Sequence, residues 1–258
     1  MDGKGNMVET LTNSDADSHV FALAQRYLDI LSATDLAAVF GGVQGLSGLF
    51  LPTVPAGFAD AKHRLLVVGM ETKAWRNKEC KFKQGNVPTI DAVYESMRSH
   101  ARWPERPPER HKFLQFLRQV RRSMRARLPD AGVAVGWANL FCVSHSEGSP
   151  TVAGSFDRIQ PLSRDLLRAH IAVTDPDVIL FTTGVAYDRF LRDCFPDRTE
   201  SVAIEPRCLW QFRVGRTLCY RTSHPRYVAH NRWRDSALAL AADHLHAGTV
   251  ERLRAELA

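Results

Sequence analysis

Two stretches of this chain, Arg64–Gly69 (RLLVVG) and Val178–Thr183 (VILFTT), are apolar without the alternation of a half-exposed strand, and Val133–Val143 (VAVGWANLFCV) is nearly so. Such runs belong to strands buried on both faces, which helices must then cover on both sides. The intervening segments supply those helices. Residues 19–40 (HVFALAQRYLDILSATDLAAVF) read as one or two helices, Asp91–Ser99 as a short one, and Arg110–Arg127 as a longer one. Pro161–Val173, Val185–Cys194 and a tail from about Arg232 follow the same period, and Leu209–Val214 and Thr217–Arg221 form a hairpin-like pair around Gly215. This alternation predicts an α/β fold: a single domain over 19–258, with a central, mainly parallel four-stranded sheet flanked by helices on both faces. Residues 1–18 are polar and are expected to form a flexible N-terminus.

No apolar run reaches the roughly 18 residues of a membrane span, and the N-terminus lacks the apolar region of a secretory signal. The expectation is a cytoplasmic protein with no membrane partner and no obligate protein partner. The five cysteines, Cys80, Cys142, Cys194, Cys208 and Cys219, are odd in number and contain no C-x-x-C pair. That argues against a disulfide framework and against zinc or iron–sulfur ligation, so no metal or cofactor is expected. Cys142, Cys194 and Cys219 sit in apolar surroundings and read as buried thiols.

The net charge of +6 is unevenly placed. RHKFLQFLRQVRRSMRAR (110–127) carries seven Lys/Arg and no acid, while Phe113, Leu114, Phe116, Leu117, Val120 and Met124 recur at helical spacing. One face of that helix packs, and the other presents Arg121, Arg122 and Arg125 to solvent or to phosphates.

In parallel α/β sheets the chemistry gathers in loops at the carboxyl ends of the strands. Here these are Gly69–Trp75, Asn139–Ser146, Thr182–Tyr187 and Ser223–Arg232. In the first, GMETKAW, Glu71 stands two residues beyond a strand that ends in glycine, where a carboxylate can orient water or steady a cation. In the last, SHPRYVAHNRW, Pro225 fixes the backbone beside His224, which can donate a hydrogen bond to a leaving group that gathers negative charge. Arg226, His230 and Arg232 make this loop basic, and Tyr227 and Trp233 give it flat apolar surface. That mixture suits phosphates and the gap left by an extruded base. Asn139 offers donor and acceptor together, as reading a base edge requires. Trp75 and Phe82 are candidate stacking surfaces for a planar ligand.

The order of these features carries a resemblance. A strand ends in G-x-acid (Gly69, Met70, Glu71), a later one ends in Asn139, an apolar strand leads into G-x-A (Gly184, Val185, Ala186), and a late strand leads into His224-Pro225. From Leu65 to Trp233 the chain resembles the uracil-DNA glycosylase superfamily. The resemblance implies a DNA partner, a nucleotide flipped into a pocket, and hydrolysis of its N-glycosidic bond without metal or cofactor. It casts Glu71 as the water-orienting, cation-stabilising acid, Asn139 as the base-reading amide, and His224 as the group that stabilises the departing base. Gly69, Met70, Lys73, Trp75, Phe82 and Asn139 then line the substrate, and Arg226, Tyr227, His230 and Arg232 meet the duplex.

Three positions depart from the pattern. Thr72 replaces the usual proline, Arg226 replaces a serine, and Lys73 stands where uracil-specific members carry a tyrosine that rejects 5-substituents. Lysine removes that steric barrier and adds three donors. The expectation is a monofunctional glycosylase acting on uracil or on a pyrimidine with a bulky polar 5-substituent, such as a modified cytosine of phage DNA, with a role in defence or repair. Two rivals share parts of the sequence. A non-catalytic nucleic-acid-binding module would keep the basic helix without needing Glu71. A small-molecule nucleoside or ester hydrolase lacks support from any G-x-S-x-G elbow.

Overall fold

The computed structural model describes residues 7–72, 75, 87–105, 107, 111–129 and 131–256, with side chains between 18 and 249. Seven α-helices occur among the described residues: α1 (Met7–Ser32), α2 (Leu36–Phe40), α3 (Ile90–Arg102), α4 (Lys112–Arg127), α5 (Phe156–Thr174), α6 (Asp188–Cys194) and α7 (Asn231–Glu256). The strands are β1 (His63–Gly69), β2 (Val133–Asn139), β3 (Val178–Phe181), β4 (Thr199–Glu205), β5 (Leu209–Val214) and β6 (Thr217–Arg221). They form one sheet in the order β2-β1-β3-β6-β5-β4. The first four are mutually parallel, and β5 and β4 extend the sheet antiparallel.

The uninterrupted apolar runs have a direct structural cause. Successive residues of β1 point to opposite faces, and both faces are covered. Leu65 and Val67 pack with Leu114, Leu117 and Val120 of α4 and Leu238 and Ala241 of α7. Leu66 and Val68 pack with Leu167 and Ile171 of α5 and Phe190 and Leu191 of α6. A further layer joins Leu23, Tyr27 and Leu31 of α1 to Val93 and Met97 of α3 and Ile159 and Leu162 of α5. Each such side chain contributes about 1.5–3 kcal/mol on burial. Cys142, Cys194 and Cys219 are buried thiols.

The sheet has six strands and mixed direction, where the sequence predicts four and mainly parallel. The parallel core is as expected, and the addition is antiparallel. Within it β4 (TESVAIE) escapes sequence reading because it is an edge strand exposed on both faces, with Val202 53% and Ile204 41% accessible. Cross-strand bonds hold it instead: Arg213 Nε to Glu200 Oε2 at 2.7 Å and Trp210 Nε1 to Ser201 Oγ at 2.9 Å. Helix α5 starts at Phe156, five residues before Pro161, which lies inside the helix rather than at its head. No helix of the described residues is long and apolar enough to cross a membrane.

Candidate active site

The carboxyl ends of β1, β2, β3 and β6 meet along one edge, and backbone pairing continues past the strands. Leu140 N–H donates to Gly69 O and Phe141 N–H to Met70 O, both at 2.9 Å, while Gly184 N–H donates to Thr222 O at 2.9 Å. Met70 is buried in this continuation. Gly69 is directly opposite Asn139. A Cβ on Gly69 would lie 2.4 Å from Asn139 Oδ1 and 3.0 Å from Phe113 Cε2, so a side chain here would displace the amide. Asn139 as a whole is buried, and neither of its amide atoms is an enclosed polar group left unsatisfied. From the carboxyl end of β2 its amide can offer a donor and an acceptor to a polar edge.

Glu71 leaves β1 toward the β3–α6 connection. There a 3-10 turn, Val185–Tyr187, follows Gly184, whose φ of +76° favours glycine. The Tyr187 hydroxyl donates to Glu71 Oε2 at 3.1 Å. Burial raises the Glu71 carboxyl above the ordinary carboxylate range, opposed by the Tyr187 hydrogen bond and by the Arg226 charge.

His224 is held as a neutral imidazole. Burial, then the charges of Arg226 and Arg234, push the imidazole down to about 4, so it is neutral near pH 7. The Arg226 backbone N–H donates to its Nδ1 at 3.2 Å, which leaves the proton on Nε2. A neutral donor results.

Arg234, which the sequence reading passed over, holds this loop. Buried in α7, its Nη1 donates to Ser223 Oγ (2.9 Å), Tyr227 O (3.1 Å) and His224 O (3.2 Å), and its Nη2 donates to Asn231 Oδ1. The loop's crest is exposed, with Tyr227 50% and Val228 65% accessible. The Arg226 guanidinium lies 5.1 Å from the Tyr227 ring centroid, that of Arg232 lies 4.5 Å from the Trp233 ring, and the Tyr227 and His230 rings are 6.3 Å apart. Beneath the site, Arg221 and Asp188 make a buried ion pair through Nη2–Oδ2 (2.8 Å) and Nε–Oδ1 (2.7 Å), tying β6 to α6.

The structure therefore gathers Gly69, Met70, Glu71, Asn139, His224, Arg226, Tyr227, His230 and Arg232 at one edge of the sheet. It does not bring the basic helix to the same place. Phe113, in the first turn of α4, meets Gly69 at the carboxyl end of β1, but Arg121 donates to Val135 O (3.4 Å) near the start of β2. Arg121 is two turns and about 12 Å further along the helix. Arg122 and Arg125 share that distant half. Trp75 is a core residue, packed edge-on against Phe50 at 5.2 Å. Lys73 and Phe82 lie outside the described residues. Among the described residues no group of three His, Cys, Asp or Glu side chains is placed to hold a metal ion.

No protein-family model and no curated protein matches this chain.

Proposed function

We propose that the protein is a monofunctional DNA glycosylase, with Glu71, Asn139 and His224 as its working groups. One observation carries the reading: a desolvated carboxylate, an amide opposite a glycine, and a neutral imidazole donor stand at the ends of three parallel strands of one sheet. These are the parts that hydrolysis of a nucleoside bond uses, in the chain order of the uracil-DNA glycosylase superfamily.

In this reading the extruded base lies with its polar edge on Asn139. The C1′–N bond breaks and its electron pair leaves with the base, whose carbonyl oxygen accepts a hydrogen bond from His224 Nε2–H. Glu71 steadies the cationic sugar and orients the water whose oxygen bonds to C1′, taking up the proton that water loses. Tyr227 and Val228 suit the space the base vacates, and Arg226 and Arg232 suit flanking phosphates. Lys73 opens the 5-position, so we favour a pyrimidine with a bulky polar 5-substituent over uracil. Removing such a base from invading phage DNA would leave abasic sites that block its replication, a defence role.

The test is purified protein against single- and double-stranded oligonucleotides carrying uracil or 5-substituted cytosines, with free nucleosides alongside. Base release from a modified duplex, reduced in Lys73→Tyr, is expected. Cleavage of nucleosides alone would make the protein a small-molecule hydrolase, and binding without release from any substrate would make it a non-catalytic module.

A further inference from the structure

Tyr187 bears directly on Glu71 and has no part in the chemistry above. Its ring is fixed by Phe141 and Phe190, each with centroids 5.9 Å away, and its backbone N–H closes the 3-10 turn onto Gly184 O at 3.1 Å. The hydroxyl is thereby aimed at Glu71 Oε2, 3.1 Å distant.

A hydroxyl that donates to a charged acceptor makes a stronger hydrogen bond than a neutral pair does. Among the described residues, the other group whose charge acts on Glu71 is Arg226, in the β6–α7 loop. Arg226 lends positive charge through an exposed side chain that solvent screens, and His224 is neutral. The tyrosine is thus the direct, unscreened contact.

We propose that Tyr187 is a positioning residue for Glu71, whose hydroxyl holds the carboxylate in one rotamer as an anion. Its kinetic consequence, though not the pairing itself, rests on the glycosylase reading.

The experiment titrates the Glu71 carboxyl directly, by carboxyl-¹³C NMR of the full chain, with Glu71→Gln assigning the signal. Tyr187→Phe should raise the Glu71 midpoint by about one pH unit, the loss expected for one hydrogen bond to a charged acceptor. Tyr187→3-fluorotyrosine, the same shape with a more acidic phenol and so a stronger donor, should lower it. The acid limb of single-turnover base release in Tyr187→Phe should move to higher pH by the same interval, with DNA affinity unchanged. An unmoved midpoint in both variants overturns the proposal. A shifted midpoint in a protein that releases no base upholds the pairing and overturns the glycosylase reading instead. If Tyr187→Phe fails to fold, the 3-fluorotyrosine protein decides alone: a lowered midpoint supports the pairing and a fixed one refutes it.

Discussion

Gly69→Ala probes the geometry of the Asn139 amide without touching a group that does chemistry. The added methyl would sit 2.4 Å from Asn139 Oδ1, against an ordinary heavy-atom contact of about 3.5 Å. The amide oxygen must therefore retreat by about 1 Å. The strand backbone is the less yielding partner, because β1 and β2 are paired at every residue from His63 to Gly69 and the ladder continues at Leu140. Overpacking of this kind destabilises by about 1–3 kcal/mol. The lower end applies here, since the nearest atom to be displaced is a side-chain oxygen and not backbone. A 1 Å misplacement of a positioning group lowers rates by about 10²-fold. Single-turnover base release and a thermal melt on the same sample separate the two effects, with a large kinetic loss expected beside a small loss of stability. In an Asn139→Ala background the nearest clash partner is gone and only the Phe113 ring edge, at 3.0 Å, must give way, so Gly69→Ala should then change the rate much less. A Gly69→Ala protein with wild-type rate and base preference would refute the assignment of Asn139 as the base reader.

Other substitutions and conditions test the remaining groups. Glu71→Gln should slow base release by about 10²-fold or more, and His224→Ala by about 10²–10³-fold, each with DNA affinity nearly kept in a filter-binding or anisotropy assay. Arg232→Ala should weaken binding across sequences and lower the salt slope by about 1 when affinity is followed against ionic strength. Asp188→Ala leaves Arg221 charged and buried, and should cost about 3–5 kcal/mol in a denaturant melt. His100 and His170 are held neutral by burial, each pushed down to about 3 from an ordinary 6.5. Below pH 6.5 the unfolded chain binds protons that the folded one refuses. Stability should therefore be full above pH 6.5 and fall by about 1.4 kcal/mol per pH unit per histidine as the pH drops toward 3, with His100→Gln flattening the slope.

The parts of the site visible in the sequence are those fixed by buried strands. Glu71, Asn139 and His224 lie at or just past apolar runs whose ends are plain in the chain, and a strand's end tells where its next residues emerge. Tyr187 and Arg234 have no such marker. Tyr187 closes a 3-10 turn too short to carry a period, and its value comes from Glu71, 116 residues away. Arg234 sits in NRWR, which reads as solvated charge, and its burial follows only from the loop folding back over α7. Trp75 shows the converse, an aromatic just past the Glu71 loop whose ring packs on Phe50 from a distant segment. The basic helix was legible as a helix with one packing face. Its direction, which carries Arg121 away from Glu71, is set by the return of the chain between two parallel strands.

Arg234 also bears on how quickly this surface can engage anything. The crest of Tyr227 and Val228 stands in solvent, yet the chain beneath it is clamped by one guanidinium at a hydroxyl, two carbonyls and an amide. A crest free in that way at its tip and fixed at its root has surrendered its backbone disorder during folding, before any ligand arrives. Contact then needs little rearrangement on the protein side. Encounter rates should track charge and diffusion, and the slow step of engagement falls to the partner, which must distort to meet a shape already set.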